Sequence, residues 1–155
     1  MSTVTGERQS VETFEICKEI EISAPIDIAF EAMLDEIGPE NRMLDGKPFP
    51  MKIEPWPGGR WYRDLGNNSG HLWGHVQVIK APTLLELSGP MFMSYPAINH
   101  LELKLDEAEG GTKVTLRHRA VGLIDPQHRE GVVTGWNGFL ESVKGDFAKT
   151  SESAA

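Results

Sequence analysis

Residues 97–120 read Ala97-Ile-Asn-His-Leu-Glu-Leu-Lys-Leu-Asp-Glu-Ala-Glu-Gly-Gly-Thr-Lys-Val-Thr-Leu-Arg-His-Arg-Ala120, and their alternation decides the fold. Leu101, Leu103 and Leu105 oppose Glu102 and Lys104; beyond Glu109-Gly110-Gly111 the same period returns as Val114 and Leu116 against Thr115 and Arg117. Successive side chains of a strand point to opposite faces, so the segment predicts two paired strands with one apolar and one solvated face.

Working outward, turn signals punctuate short runs of aromatic and β-branched residues from Lys47 to Gly122. They predict an antiparallel meander of strands near 49–55, 60–65, 70–79, 83–89, 97–107 and 112–121, turning at Pro57-Gly58-Gly59, Gly66-Asn67-Asn68-Ser69-Gly70 and Ala81-Pro82. Upstream, Phe14, Ile16, Ile20 and Ile22 alternate with polar residues as a further strand, interrupted only by Lys18. Ser23-Ala24-Pro25 then opens a helix carrying Ile26, Ala29, Phe30, Met33, Leu34 and Ile37, which Gly38-Pro39 stops. A short helical turn is expected at 40–44. Downstream, Asp125-Pro126 opens a long helix over 126–149 with Val132, Trp136, Phe139, Leu140, Val143 and Phe147 on one stripe. Gly131, Gly135, Gly138 and Gly145 weaken that helix by roughly 1 kcal/mol each, so tertiary packing must hold it. An apolar sheet face and an amphipathic helix bury each other, giving an α+β domain over 12–149; 1–11 and 150–155 are expected to be tails. A twisted sheet coiling around one helix leaves room for a cavity between them.

The chain has 155 residues, enough for one domain with a sizeable core. No apolar run approaches the roughly 20 residues of a membrane span, and the polar opening MSTVTGERQSVETFE has no signal-like apolar segment. The expectation is a cytoplasmic protein that is not membrane-embedded. A net charge of −8 without a basic patch disfavours nucleic acid. The single Cys17 allows neither an internal disulfide nor a thiolate metal cage.

Ile20-Glu-Ile-Ser-Ala-Pro25, Ala29-Phe-Glu-Ala-Met33, Pro57-Gly-Gly-Arg60, Gly70-His-Leu-Trp-Gly74 with Val76 and Val78, Ala81-Pro-Thr-Leu-Leu85, Gly110-Gly-Thr-Lys-Val114 and Gly135-Trp136 follow one another in an order that resembles the SRPBCC superfamily, which holds the START and birch-pollen-allergen-like domains. The nearest branch by resemblance is the bacterial homologues of the activator of the 90-kDa heat-shock-protein ATPase, over about 13–149. The resemblance implies a helix-grip fold, a seven-stranded antiparallel sheet around the C-terminal helix enclosing a hydrophobic cavity. It also implies ligands such as lipids or polyketides, with cyclases, aromatases or hydratases as a minority and no shared catalytic motif.

Alternation places His118 with Val114, Leu116 and Ala120 on the concave face, and Asn99 with Leu101, Leu103 and Leu105. Buried polar groups need a partner, which here is the protein itself, a trapped water, solvent reached near a strand end, or a ligand. With Tyr62 from the aromatic-rich middle strands and Trp136 and Phe139 from the last helix, Asn99, His118, Leu101, Leu103 and Leu116 form the candidate ligand-contacting set. His118 is also the one weak candidate for acid–base chemistry, with no carboxylate placed beside it by spacing. His71 and His75 share a strand face with Trp73, opposite Leu72, Gly74, Val76 and Val78; roughly 13 Å apart, they read as a solvent-facing stripe rather than a metal site. The loop Gly89–Pro96 carries Met91, Phe92 and Met93, suited to a lid or to contact in a homodimer. The leading reading is non-enzymatic binding of an apolar or aromatic small molecule, with neither metal nor cofactor. A cyclase- or hydratase-type enzyme on the same cavity and a chaperone co-activator-like module with a protein partner are the alternatives.

Overall fold

A computed structural model describes residues 3–43 and 45–154, with side chains to 145 and at 147. Strand β1 (Glu12–Ile22) leads into helix α1 (Ile26–Ile37); β2 (Lys52–Ile53), β3 (Arg60–Gly66), β4 (Ser69–Lys80), β5 (Leu84–Gly89), β6 (Ala97–Ala108) and β7 (Gly111–Gly122) follow, and helix α2 (Pro126–Ala154) closes the chain. The seven strands form one antiparallel sheet in the order β1-β7-β6-β5-β4-β3-β2. This is the helix-grip architecture: an α+β sheet whose concave face packs on α1 and α2.

The alternation that predicted β6 and β7 sets their register. Leu103 pairs with Leu116 and Leu105 with Val114, so leucines stand opposite aliphatic partners on the face turned to the helices, and all four are fully buried. On β1, Lys18 turns inward as well and gives its Nζ proton to Asn137 Oδ1 on α2. An inward charge on an edge strand, satisfied by the helix above it, discourages further strand pairing. Pro25 caps α1 itself, its carbonyl accepting from the Ala29 N–H at 2.9 Å.

Three expectations change. The helical turn expected at 40–44 is absent over 40–43: Gly38 to Glu40 form a turn and Arg42 bridges to Pro48, while Leu44 lies outside the described residues. The Asn41 carbonyl takes the Phe49 N–H at 2.7 Å and the Lys47 carbonyl the Met43 N–H at 2.9 Å, bonds between the two sides of a turn-back that a helix would forgo. The strand expected over 49–55 shrinks to Lys52–Ile53. Helix α2 continues past 149 to Ala154, consistent with Ala, Lys and Glu and no proline or glycine beyond Gly145.

The strand β4 departs furthest from its sequence pattern, because two bulges reverse its parity. Trp61 pairs with Gly74 but Tyr62 with Leu72, so Trp73 is an extra residue; Val76 pairs with Leu87 but Val78 with Glu86, so Gln77 is another. Trp73 therefore turns inward, away from the face of His75, which pairs with Arg60, whereas Leu72 is 46% exposed and Val78 shares the outer face with Glu86. Gly74 permits this geometry: a Cβ there would stand 2.6 Å from the Ser88 carbonyl oxygen.

Candidate functional site

Beneath α2 the concave face divides in two. Towards β6 and β7 it is closed by a chain of hydrogen bonds. Trp136 on α2 donates Nε1–H to His118 Nδ1 at 2.9 Å; His118 Nε2 meets Asn99 Oδ1 at 2.6 Å; Asn99 Nδ2 donates to the carbonyls of Pro90 at 3.1 Å and Gly89 at 3.3 Å. The indole can only donate, so Nδ1 accepts and the proton sits on Nε2, which gives it to Asn99. His118 is thus neutral, with both nitrogens engaged. Phe14, Trp136 and Phe92 present rings at near-right angles to the imidazole, 5.1, 5.7 and 6.4 Å away between centroids. Burial pushes the His118 pKa down to about 4, helped by the nearby His100.

This arrangement bears directly on acid–base chemistry. The ring has no free lone pair to take a proton from a ligand and no free N–H to give one. Asn99 and His118 are fully buried and satisfied by the protein, the first of the outcomes weighed from the sequence. The chain ties the loop bearing Met91 and Phe92 to α2, fixing the Trp136 indole in place.

Towards β3 and β4 the same face opens into a pocket of about 630 Å³. Its walls are Trp61 and Trp73 from the sheet, Phe49 from the loop after α1, Phe92 from the β5–β6 loop, and Trp136 and Phe139 from α2. Trp73 binds this wall together: its ring meets Trp61 edge-on at 5.1 Å, Phe92 edge-on at 5.5 Å and Phe49 in a stack at 5.9 Å. Trp61 is anchored by its Nε1–H to the Ile37 carbonyl at 2.8 Å. Polar groups are few and sit around the apolar wall: Asn41 and Arg42, Gln127 and His128, Thr134, and Glu36, which accepts from Ser142 Oγ at 3.3 Å.

Helix α2 contributes its glycines. Gly131, Gly135 and Gly138 recur at i, i+4 and i+7, the spacing of one helical face, and all three line the pocket. At Gly131 and Gly138 an added Cβ would meet nothing within 4 Å. The helix gives up roughly 1 kcal/mol of propensity at each position, and the volume left empty is part of the pocket.

Of the residues singled out from the sequence, Trp136 and Phe139 line this pocket. Asn99 and His118 lie behind Trp136 in the hydrogen-bonded chain. Leu101, Leu103 and Leu116 are fully buried core. Tyr62 is turned to the outer face, where the Arg60 guanidinium covers its ring at 4.6 Å, because it alternates with the buried Trp61 on β3. Trp73, Phe49, His128 and the glycine face were not foreseen as a site. The glycine spacing was legible in the sequence; the bulge that turns Trp73 inward was not.

No helix among the described residues is long and apolar enough to cross a membrane. The family model for activator of Hsp90 ATPase homolog 1-like protein matches residues 24–146. No curated protein matches the chain. Among solved structures, a protein of unknown function from Staphylococcus aureus superposes with a TM-score of 0.65 at 13% identity, covering 92% of this chain and 98% of that one. CalU16 from Micromonospora echinospora superposes with a TM-score of 0.60 at 22% identity, over 90% and 84%. Ara h 8.0201 gives 0.61 at 17% identity, over 90% and 99%. At these identities the likeness is one of fold.

Proposed function

The chain belongs to the family of activator of Hsp90 ATPase homolog 1-like proteins, of the SRPBCC type, and from that premise we propose that it binds an apolar or aromatic small molecule between the sheet and α2, without transforming it. The observation that carries this reading is the pocket of about 630 Å³, walled by six aromatic rings with a handful of polar groups around them. Its size and lining are those of sites that enclose a drug-sized ligand. The glycine face of α2 supports the same reading, since alanine at Gly131 or Gly138 would improve the helix and clash with nothing. The engagement of His118 with Trp136 and Asn99 supports binding without catalysis at that ring.

Thermal shift and calorimetry with a panel of fatty acids, flavonoids and polyketides test the proposal, using Gly131→Phe as the control. A ring at 131 enters the pocket from a position with open space around it. The expected result is at least one ligand that raises the melting temperature of the wild type and loses most of its affinity for Gly131→Phe. A panel that leaves the wild type unmoved, or a ligand indifferent to the filled pocket, overturns the reading.

A further inference from the structure

His128, in the first turn of α2, lines the pocket and lies next to Tyr95 from the loop before β6. The two rings stack at 5.4 Å with 27° between their planes, and the Tyr95 hydroxyl lies 2.7 Å from His128 Nδ1. Burial raises the Tyr95 pKa above its ordinary value of 10, so the phenol keeps its proton at neutral pH. A phenol can give its O–H to an imidazole nitrogen or accept from it; where it gives, the imidazole carries its own proton on the other nitrogen. With Nδ1 engaged by Tyr95, Nε2 is the nitrogen left to face a ligand, and it is a donor when the phenol gives its proton to Nδ1. A donor on an aromatic-walled pocket gives a ligand direction as well as affinity.

Resting on the proposed binding function, we infer that His128 is a ligand-recognising residue, its Nε2–H donating to an oxygen acceptor carried on an apolar ring system, with Tyr95 as the residue that positions it. Carbonyl, phenolate and carboxylate oxygens share this chemistry. An apolar body fits the tryptophan wall, and the oxygen end seats at His128.

Three probes of nearly identical shape test this by calorimetry: fluorene, 9-fluorenone and fluorene-2-carboxylate. The wild type is expected to bind 9-fluorenone about 5-fold more tightly than fluorene, the size of one net hydrogen bond. His128→Phe, which keeps a flat ring against Tyr95, should abolish that preference, so that fluorene and 9-fluorenone bind alike. Fluorene-2-carboxylate separates the two sources of oxygen: an advantage over fluorene that His128→Phe removes extends the site to acids, and its absence restricts it to neutral acceptors. Nitrogen NMR of His128 supplies an independent readout, with the proton on Nε2 in the wild type and both tautomers populated in Tyr95→Phe. Equal affinity for fluorene and 9-fluorenone, or a preference that survives His128→Phe, overturns the role of His128 and leaves the pocket standing. Failure of all three probes to bind takes down the pocket reading and this inference together.

Discussion

Along β6 and β7 the concave face is filled by Leu101, Leu103, Leu105, Val114 and Leu116, each with essentially no exposed surface, whereas along β3 and β4 the same face presents Trp61 and Trp73 to an open pocket. The two ends share a sheet, a helix and a solvent boundary, and differ in register. Every residue from Ala97 to Ala108 has a partner on β7, so side chains alternate without interruption and pack in layers. Two extra residues on β4 break that alternation, and glycines on α2 withhold the side chains that would fill the gap. Space inside this fold therefore comes from irregularity on one layer coinciding with missing side chains on the other.

The contrast is broken most severely by cutting into the filled end. Leu103→Ala removes a fully buried side chain from the centre of the regular strands and should cost about 4 kcal/mol, read from chemical denaturation. The pocket at the other end of the face should keep its ligand affinity. A loss of binding comparable with that of Gly131→Phe would mean that the two ends are not separable.

Acid attacks the same filled end through His118. In the unfolded chain the ring takes a proton near pH 6.5, in the fold only near 4, so the unfolded state binds more protons between those values. Its contribution is fully present above pH 6.5, falls as the pH drops towards 4 and changes no further below, a loss of about 3 kcal/mol in all. Protonation at Nδ1 also ends its acceptance of the Trp136 N–H, so the indole signal should change over the same range. His118→Gln should be less stable at neutral pH and show a flatter stability profile between pH 6.5 and 4. An unaltered profile would show that His118 is not the group responsible.

The filled end was also the legible end. Strict alternation from Leu101 to Leu105 and from Val114 to Leu116 fixed two strands, their pairing and their buried face, and helical periodicity did the same for α1 and α2. His118 and Asn99 were recognised as inward-facing, but parity cannot say whether a buried polar group meets protein or ligand. The pocket end was legible only in fragments. A bulge has no period to betray it, so alternation puts Trp73 on the face of His75 although it turns inward, while on β3 it is Trp61 rather than its neighbour Tyr62 that faces the pocket. The loop over 41–49 owes its shape to bonds such as Phe49 N–H to the Asn41 carbonyl, which no composition signals. His128 gains meaning only from Tyr95, 33 residues away.

The smallest effect sharpens the contrast most, because its sign differs between the two ends. Any truncation among Leu101, Leu103 and Leu116 must destabilise, since those side chains are surrounded. Gly138→Ala adds a methyl group where nothing stands within 4 Å and removes the backbone freedom that glycine brings to a helix. The variant should be more stable by up to about 1 kcal/mol, raising the melting temperature by about 3 °C for a chain of this size. Because the new methyl group borders the pocket, any ligand bound there should weaken slightly as the protein strengthens. Stability gained with affinity lost is the signature of a glycine kept for space. If Gly138→Ala lowers the melting temperature instead, the face beneath α2 is packed like the rest, and the distinction between a filled end and an open end fails.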